Sequence, residues 1–187
     1  MYIMGQLGQY VGIDESLYIP QPLLVDQEIP MYFVAAFSFD QSDIVHSDSK
    51  IGKKRGGYQN RRPEHDFIYT SVKSHDGRIS QNRRIGAICS LLVDCGISDD
   101  DYVIIDGFGE CSQVEKRIRD CLRNYGIHTN GNLVVANSAD RTYPIVNSAD
   151  SIAYILSRLN GSSGFNNKEV PLLPDAQRYL EVYKTAR

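Results

Sequence analysis

The sequence has no long hydrophobic run. Its 187 residues are 42% hydrophobic and 23% charged, but no apolar stretch approaches the roughly 20 residues that a membrane-spanning helix requires. The stretch Met1–Ser16 has no basic segment followed by an apolar one, so we expect no secretory signal. These absences favour a cytoplasmic globular protein, and the length predicts a single domain over residues 1–187 with its own hydrophobic core.

Cysteine and histidine are both scarce. The four histidines share no metal-ligand spacing, and none of the four cysteines belongs to a Cys-x-x-Cys pair. The cysteines are Cys89, Cys95, Cys111 and Cys121. We therefore expect free thiols in a reducing compartment rather than disulfides or a zinc site.

A large net charge is also lacking, since the formal value is only −3. The charge is nevertheless unevenly placed, because residues 50–62 contain six basic side chains and no acidic one. They are Lys50, Lys53, Lys54, Arg55, Arg61 and Arg62. A basic loop over residues 50–65 could bind phosphates with release of counterions. A solvated loop that keeps the protein soluble has the same composition, and the charges alone favour that interpretation.

Apolar periodicity and turn residues predict three strands followed by alternating helices and strands. The predicted strands cover 9–14, 31–39, 66–73, 102–106 and 132–136, and the predicted helices cover 81–95, 111–125 and 148–159. Ser80 and Gly96 supply the cap and stop of the first helix. After a loop at 160–167 we expect a C-terminal helical tail within 168–187, with a short helix from about Pro174. This order predicts a mixed α/β sheet whose first three strands are antiparallel, with flanking helices.

Acidic residues close two of the predicted strands. Asp14 and Glu15 follow the apolar run 10–13, and Asp106 follows the run 102–105. Adjacent strands that end in carboxylates bring hard oxygen ligands to one edge of a sheet, and a phosphodiester-cleaving site with Mg²⁺ or Mn²⁺ needs such ligands. Taken singly, a solvated strand end and a turn explain these acids equally well.

These motifs, in this order, resemble ribonuclease HII, the type 2 ribonuclease H. Four stretches between residue 11 and about residue 158 carry the resemblance: Val-Gly-Ile-Asp-Glu at 11–15, Asp-Ser-Lys at 48–50 with the basic 53–55, Val-Ile-Ile-Asp-Gly at 103–107, and Ala-Asp, Tyr-Pro and Ser-Ala within 139–149. The resemblance implies a ribonuclease H-like mixed five-stranded sheet, a divalent cation and a nucleic-acid substrate. It also implies that Lys50, Lys53, Lys54 and Arg55 lie near that substrate.

The chain departs from the family in two places. After Asp-Glu, the family has a Gly-Arg-Gly turn that reads the ribose 2′-hydroxyl at an RNA–DNA junction, whereas residues 16–20 here read Ser-Leu-Tyr-Ile-Pro. Counting along the matched segment from Pro144 places the last carboxylate position at Arg158. Asp150, about two helical turns earlier, stands in an Ala-Asp-x-x-Ala pattern that resembles the last metal ligand of other ribonuclease-H-fold nucleases. An N-terminal charge or cap is the alternative role for Asp150.

We therefore expect a divalent-metal-dependent nuclease in which Asp14, Glu15, Asp106 and Asp150 bind the metal and catalyse hydrolysis. The expected substrate is RNA in an RNA/DNA hybrid or a structured nucleic acid. The alternative is a ribonuclease-H-fold protein that binds nucleic acid or a protein partner without cleaving, which the two departures support. A small-molecule phosphate enzyme is disfavoured because Gly-Phe-Gly at 107–109 lacks the third glycine of a dinucleotide-binding loop.

Overall fold

The computed structural model describes residues 8–19, 27–46, 64–75, 77–159 and 168–173. Three sequence predictions lie outside these residues. They are the basic loop with Lys50, Lys53, Lys54 and Arg55, the loop at 160–167, and the helix from Pro174.

Within the described residues, five strands form one mixed sheet. They are β1 (Tyr10–Leu17), β2 (Ile29–Ser38), β3 (Asp66–Ser74), β4 (Tyr102–Asp106) and β5 (Leu133–Ala136). Their spatial order is β3-β2-β1-β4-β5. The pairs β1–β2 and β2–β3 are antiparallel, and the pairs β1–β4 and β4–β5 are parallel. The predicted mixed five-stranded sheet, with its first three strands antiparallel, is confirmed.

β1 continues past the acids that were predicted to close it. Its pairing with β2 runs on to Leu17, opposite Met31, whereas its pairing with β4 ends at Ile13 opposite Ile105. Asp14 therefore lies where the parallel pairing stops, inside a strand that the antiparallel partner extends. The acids therefore mark the end of the β1–β4 pairing and not the end of the strand. β1 continues because it stays hydrogen-bonded to β2, and the apolar pattern of β1 does not reveal that partner.

Three α-helices belong to the described chain: α1 (Gln81–Cys95), α2 (Cys111–Arg123) and α3 (Pro144–Arg158). None of the described helices is both long and apolar enough to cross a membrane. α1 has the predicted ends, since the Ser80 hydroxyl accepts a hydrogen bond from the Arg83 amide at 3.4 Å and Gly96 is left-handed with φ 62°. α3 begins one turn earlier than residue 148, because Pro144 occupies the first turn, where a missing N–H costs nothing.

The sheet has a helical layer on each face. Alternate residues of a strand point to opposite faces, so Ile13 and Ile105 pack with α1 and α2 in one buried cluster, while Ile104 packs with α3 in the other. The four cysteines are free, as predicted, and Cys89 and Cys121 are buried in the α1–α2 layer. β4, which carries Asp106, is therefore held by apolar packing on both faces, and β1, which carries Asp14, packs its apolar side chains on the α1–α2 face.

α3 lies directly on the backbone of β1 at Gly12. A Cβ atom added at Gly12 would lie 2.6 Å from the carbonyl carbon and oxygen of Ile145 and 2.8 Å from the amide nitrogen of Val146. No side chain fits there, because real Cβ atoms do not approach backbone so closely. The glycine is required by this close approach.

A chain of hydrogen bonds also ties α3 to the turn after β2. Nδ1 of His65 lies 2.9 Å from the Ser148 hydroxyl, and its Nε2 lies 3.0 Å from a carboxylate oxygen of Asp43. The Ser38 hydroxyl donates to the same oxygen of Asp43 at 2.5 Å. His65 therefore joins the start of β3, the 3-10 turn Gln41–Ile44 and α3.

Residues 168–173 run beside β3 instead of forming a helix. The Tyr69 amide donates to the Lys168 carbonyl at 3.3 Å, and the Val170 amide donates to the Tyr69 carbonyl at 2.7 Å. This short parallel bridge satisfies backbone groups at the edge of the sheet. The described start of the predicted helical tail is therefore extended, and residues 174–187 lie outside the described chain.

We predict that Gly12→Ala lowers the free energy of unfolding by about 1–3 kcal/mol, because the new methyl group overpacks the β1–α3 contact. Urea denaturation measures this loss. Gly96→Ala is the control: its added Cβ meets nothing within 4 Å, but its φ of 62° strains an L-residue, which costs about 1 kcal/mol. A smaller loss for Gly12→Ala than for Gly96→Ala would contradict the close approach.

Candidate metal centre

Three buried carboxylates converge at the edge of the sheet. Asp14 of β1, Asp140 of the 3-10 turn Ala139–Arg141 and Asp150 of α3 each offer an oxygen, and these oxygens lie within 4.8 Å of one another. Their side chains are only 6%, 4% and 4% exposed. We call Asp14, Asp140 and Asp150 the acid cluster.

The packing of α3 on β1 assembles the acid cluster. Asp14 follows Gly12 by two residues and so shares the face of the sheet on which α3 lies. Contact between Gly12 and the first turn of α3 places Asp150, in the second turn, over that face. The turn with Asp140 is held against α3 because the Asn147 side chain donates to the Asp140 carbonyl at 2.9 Å.

Asp106 lies beside the acid cluster. It is the next residue after the Ile13–Ile105 pair, so Asp14 and Asp106 occupy adjacent central strands, as predicted. Its Oδ1 accepts a hydrogen bond of 2.6 Å from the Ala139 amide, which anchors the turn carrying Asp140. Burial raises the pKa of Asp106, the Asp140 carboxylate raises it further, and backbone N–H groups oppose the shift.

The Glu15 side chain forms an ion pair outside the acid cluster. Its Oε1 accepts a hydrogen bond of 2.7 Å from Nη1 of Arg84 in α1, the helix on the opposite face from α3. Burial raises the pKa of Glu15 to about 7, against the attraction of Arg84 and with a smaller contribution from the Asp106 carboxylate. Of the predicted site residues, the structure thus brings Asp14 and Asp150 together, leaves Asp106 beside them and ties Glu15 to α1.

Asp140 is the functional candidate that sequence reasoning did not assign to the site. It belongs to the Ala-Asp stretch that resembles the family, but counting along that stretch led to Arg158 instead. Arg158 lies at the far end of α3, about two turns beyond Asp150, whereas Asp140 lies with Asp14 and Asp150. The signal that could have found Asp140 is its place four residues after the end of β5, which pairs with the Asp106 strand.

The capping role considered for Asp150 does not fit the structure. α3 begins at Pro144, with Tyr143 as its N-terminal flanking residue, so Asp150 is the seventh helical residue. Capping side chains lie at or next to the first helical residue. With 4% of its side chain exposed, Asp150 faces the sheet and not the solvent at the helix start.

The electrostatic state of the acid cluster is unfavourable without a counter-charge. Burial raises the pKa of Asp14 well above its usual range, and the carboxylates of Asp106, Asp150 and Glu15 raise it further. The Glu15 amide, which donates to Oδ1 of Asp14 at 2.7 Å, opposes this shift only in part. Buried like charges need protons or a cation to offset them. Because its donors are all carboxylate oxygens, the acid cluster fits a hard divalent cation.

Two solved structures match this chain over most of its length. A chain in the complex of PCNA with RNase HII from Archaeoglobus fulgidus matches with 14% identity and a TM-score of 0.48, over 95% of this chain and 89% of its own length. Ribonuclease H2 from Pyrococcus horikoshii OT3 matches with 16% identity and a TM-score of 0.42, over 94% and 86% of the two chains. The fold of this chain is therefore described by its own mixed five-stranded sheet, in the order β3-β2-β1-β4-β5.

No protein-family model matches the sequence, and no curated protein matches it either. At 14–16% identity, the function of this protein has to be argued from the acid cluster and its surroundings.

We predict that Asp14→Asn raises the melting temperature of the metal-free protein, because the amide removes a buried charge from beside three other acids. A gain of about 2–4 °C corresponds to ~1 kcal/mol in a chain of this size. The same change should abolish the stabilisation that Mn²⁺ gives the wild type. Asp120→Asn on α2 is the control and should respond to Mn²⁺ like the wild type. Stabilisation by Mn²⁺ that survives Asp14→Asn would exclude Asp14 as a ligand.

We also predict that the metal-free protein loses stability as the pH rises. The pKa values of Asp14, Asp106 and Glu15 are all raised by folding, so their contribution is fully present below the unfolded pKa and is lost as pH rises through the folded pKa. For Glu15 this window runs from 4.5 to about 7.

Urea titrations in EDTA across this window measure the slope, and Glu15→Gln should remove the part due to Glu15. Added Mg²⁺ or Mn²⁺ should restore stability at neutral pH, where the carboxylates are charged. A free energy of unfolding that rises with pH across this window in EDTA would contradict the prediction, because it would show that charging these acids does not destabilise the folded protein.

Proposed function

We propose that this protein is a divalent-metal-dependent nuclease that hydrolyses phosphodiester bonds at the acid cluster. The observation that carries the proposal is the convergence of Asp14, Asp140 and Asp150 in a buried position beside Asp106. Burying several like charges destabilises a fold, and such an arrangement is typical of a functional site that binds a compensating cation. Mg²⁺ and Mn²⁺ are the ions that an all-carboxylate site suits best.

Each residue would have a distinct role. Asp14, Asp140 and Asp150 would hold the cation through their carboxylate oxygens. A bound divalent cation supplies activation of a water molecule and neutralisation of charge on the phosphate. Asp106 keeps the turn with Asp140 in place through its hydrogen bond to the Ala139 amide. The deep burial of the acid cluster limits competing bulk water, which strengthens the electrostatic interactions.

Glu15 remains a predicted ligand at the margin of the acid cluster. In the structure its carboxylate is bound to Arg84 at 2.7 Å, so a cation would have to compete with that guanidinium for Glu15. The three acids of the cluster suffice without it, because Mg²⁺ commonly retains several water ligands.

The proposed substrate is RNA in an RNA/DNA hybrid or a structured nucleic acid. Its support is the resemblance of the sequence to ribonuclease HII, including Asp-Ser-Lys at 48–50, together with the basic loop. Lys50, Lys53, Lys54 and Arg55 would bind backbone phosphates. They would contribute affinity and salt dependence rather than sequence preference.

A non-catalytic protein that binds nucleic acid or a protein partner is the second candidate. The ion pair between Glu15 and Arg84 favours it, because a guanidinium occupies one of the acids that a nuclease of this type would use. The replacement of the Gly-Arg-Gly turn by residues 16–20 points the same way.

The test is hydrolysis by purified protein with Mg²⁺ or Mn²⁺ on hybrid, single-stranded and branched nucleic acids. We expect the wild type to cleave at least one of these, and Asp14→Asn and Asp140→Asn each to lower kcat by about 100-fold or more, because an amide keeps the size but loses the charge that binds the cation. Asp120→Asn should cleave normally. Cleavage should show no preference for a lone ribonucleotide in duplex DNA, because the Gly-Arg-Gly turn is absent.

Two results would overturn this assignment. A wild type that is inert on all three substrates with both ions would favour the binding role. Full activity in Asp14→Asn, with the fold intact by circular dichroism, would mean that the chemistry takes place elsewhere.

A further inference from the structure

An arginine is stacked on two tyrosines near the acid cluster. The guanidinium carbon of Arg158 lies 4.1 Å from the ring centroid of Tyr18 and 5.1 Å from that of Tyr154. Tyr154 and Arg158 are one helical turn apart at the end of α3, and Tyr18 directly follows β1. We call Tyr18, Tyr154 and Arg158 the Tyr–Arg stack.

The Tyr–Arg stack is fixed by contacts between its two supporting elements. The hydroxyl oxygens of Ser16 and Ser157 lie 3.5 Å apart, so the end of α3 touches the end of β1. Ser157 is 3% exposed, and its hydroxyl donates to the Tyr154 carbonyl at 2.8 Å. The ring contacts restrain the plane of the guanidinium, and the exposed Arg158 keeps its N–H groups accessible at the surface.

The same two elements carry the acid cluster and the Tyr–Arg stack. On α3, Arg158 follows Asp150 by eight residues, which is about 12 Å along a helix. Tyr18, directly after β1, follows Asp14 by four residues, which is about 13 Å along an extended chain. A nucleic-acid strand whose phosphate lies at the acid cluster can therefore reach the Tyr–Arg stack within a few nucleotides.

The charge of Arg158 is not neutralised by an ion pair within the described part of the chain. Three other arginines of that part do pair with acids, since Arg84 contacts Glu15, Arg119 contacts Glu115 and Arg123 contacts Asp120. Among the described residues no such acid pairs with Arg158. A positive charge next to a strongly acidic site offsets the repulsion that the site exerts on an approaching phosphate.

We propose that the Tyr–Arg stack binds a backbone phosphate of the nucleic-acid strand held at the acid cluster, which rests on the proposed nuclease function. The guanidinium presents a planar fork of N–H donors that matches two phosphate oxygens, and stacking on Tyr18 and Tyr154 pre-orients that fork. A phosphate contact of this kind fixes the register of the strand and reads no base. The proposed contact involves Tyr18, which lies in residues 16–20, the segment that stands in place of the Gly-Arg-Gly turn.

Binding of a fluorescently labelled RNA/DNA hybrid in EDTA, followed by anisotropy from low to high salt, tests this proposal. Arg158→Gln should weaken binding about tenfold for every sequence and reduce the slope of log K against log salt by about one, the loss of one phosphate contact. Arg158→Lys should keep the slope of log K against log salt, because the charge is retained. It should lose affinity, because an ammonium cannot donate a planar pair of hydrogen bonds to phosphate or stack on the tyrosine rings as a guanidinium does. Arg123→Gln, on exposed α2 surface, is the matched control and should bind like the wild type.

The outcomes separate this proposal from the proposed function. Mn²⁺ should still stabilise Arg158→Gln, because the acid cluster is intact. Wild-type affinity and salt slope in Arg158→Gln would overturn the Tyr–Arg stack as a phosphate site while leaving the nuclease proposal in place. Loss of the Mn²⁺ response in Arg158→Gln would overturn it too, by showing a structural role. A wild type that neither binds nor cleaves nucleic acid would overturn the proposed function, and this inference with it.

Discussion

The close contact between α3 and β1 at Gly12 is the constraint on which the candidate site depends. Because Gly12 has no side chain, the backbone of Ile145 and Val146 can lie against the strand. This contact brings Asp150 to Asp14 in the acid cluster. Further along the same two elements, the contact between Ser16 and Ser157 brings Arg158 to Tyr18. The packing of α3 on β1 therefore positions both the acid cluster and the Tyr–Arg stack.

The buried carboxylates of the acid cluster destabilise the fold. Apolar packing on both faces of the sheet holds Asp14 and Asp106 in position, although burial and mutual repulsion raise the pKa of each. A fold optimised for stability would place amides or apolar residues there. The protein instead keeps the carboxylates, and under the proposed function a bound cation would relieve their repulsion and stabilise the fold.

Local sequence signals predicted most of the fold. Ser80 and Gly96 placed both ends of α1, and the order of strands and helices predicted the mixed sheet. The signals failed where structure depends on distant partners. β1 extends to Leu17 because β2 pairs with it. Such a boundary follows from hydrogen bonds that periodicity does not encode. The start of α3 at Pro144 was missed for a different reason, since the proline is a local helix-start signal that lies before the apolar stripe of the helix.

The sequence by itself indicated that Asp14 and Asp106 each follow a buried apolar strand of similar length, and the pairing of Ile13 with Ile105 places the two acids side by side. Only the tertiary structure decided which other side chains join them. Asp140 and Asp150 enter the acid cluster because α3 covers that face of the sheet, whereas Glu15, one residue after Asp14, is bound by Arg84 of α1. The pleat alternates side chains between the two faces, and the helix packed on each face supplies the partner.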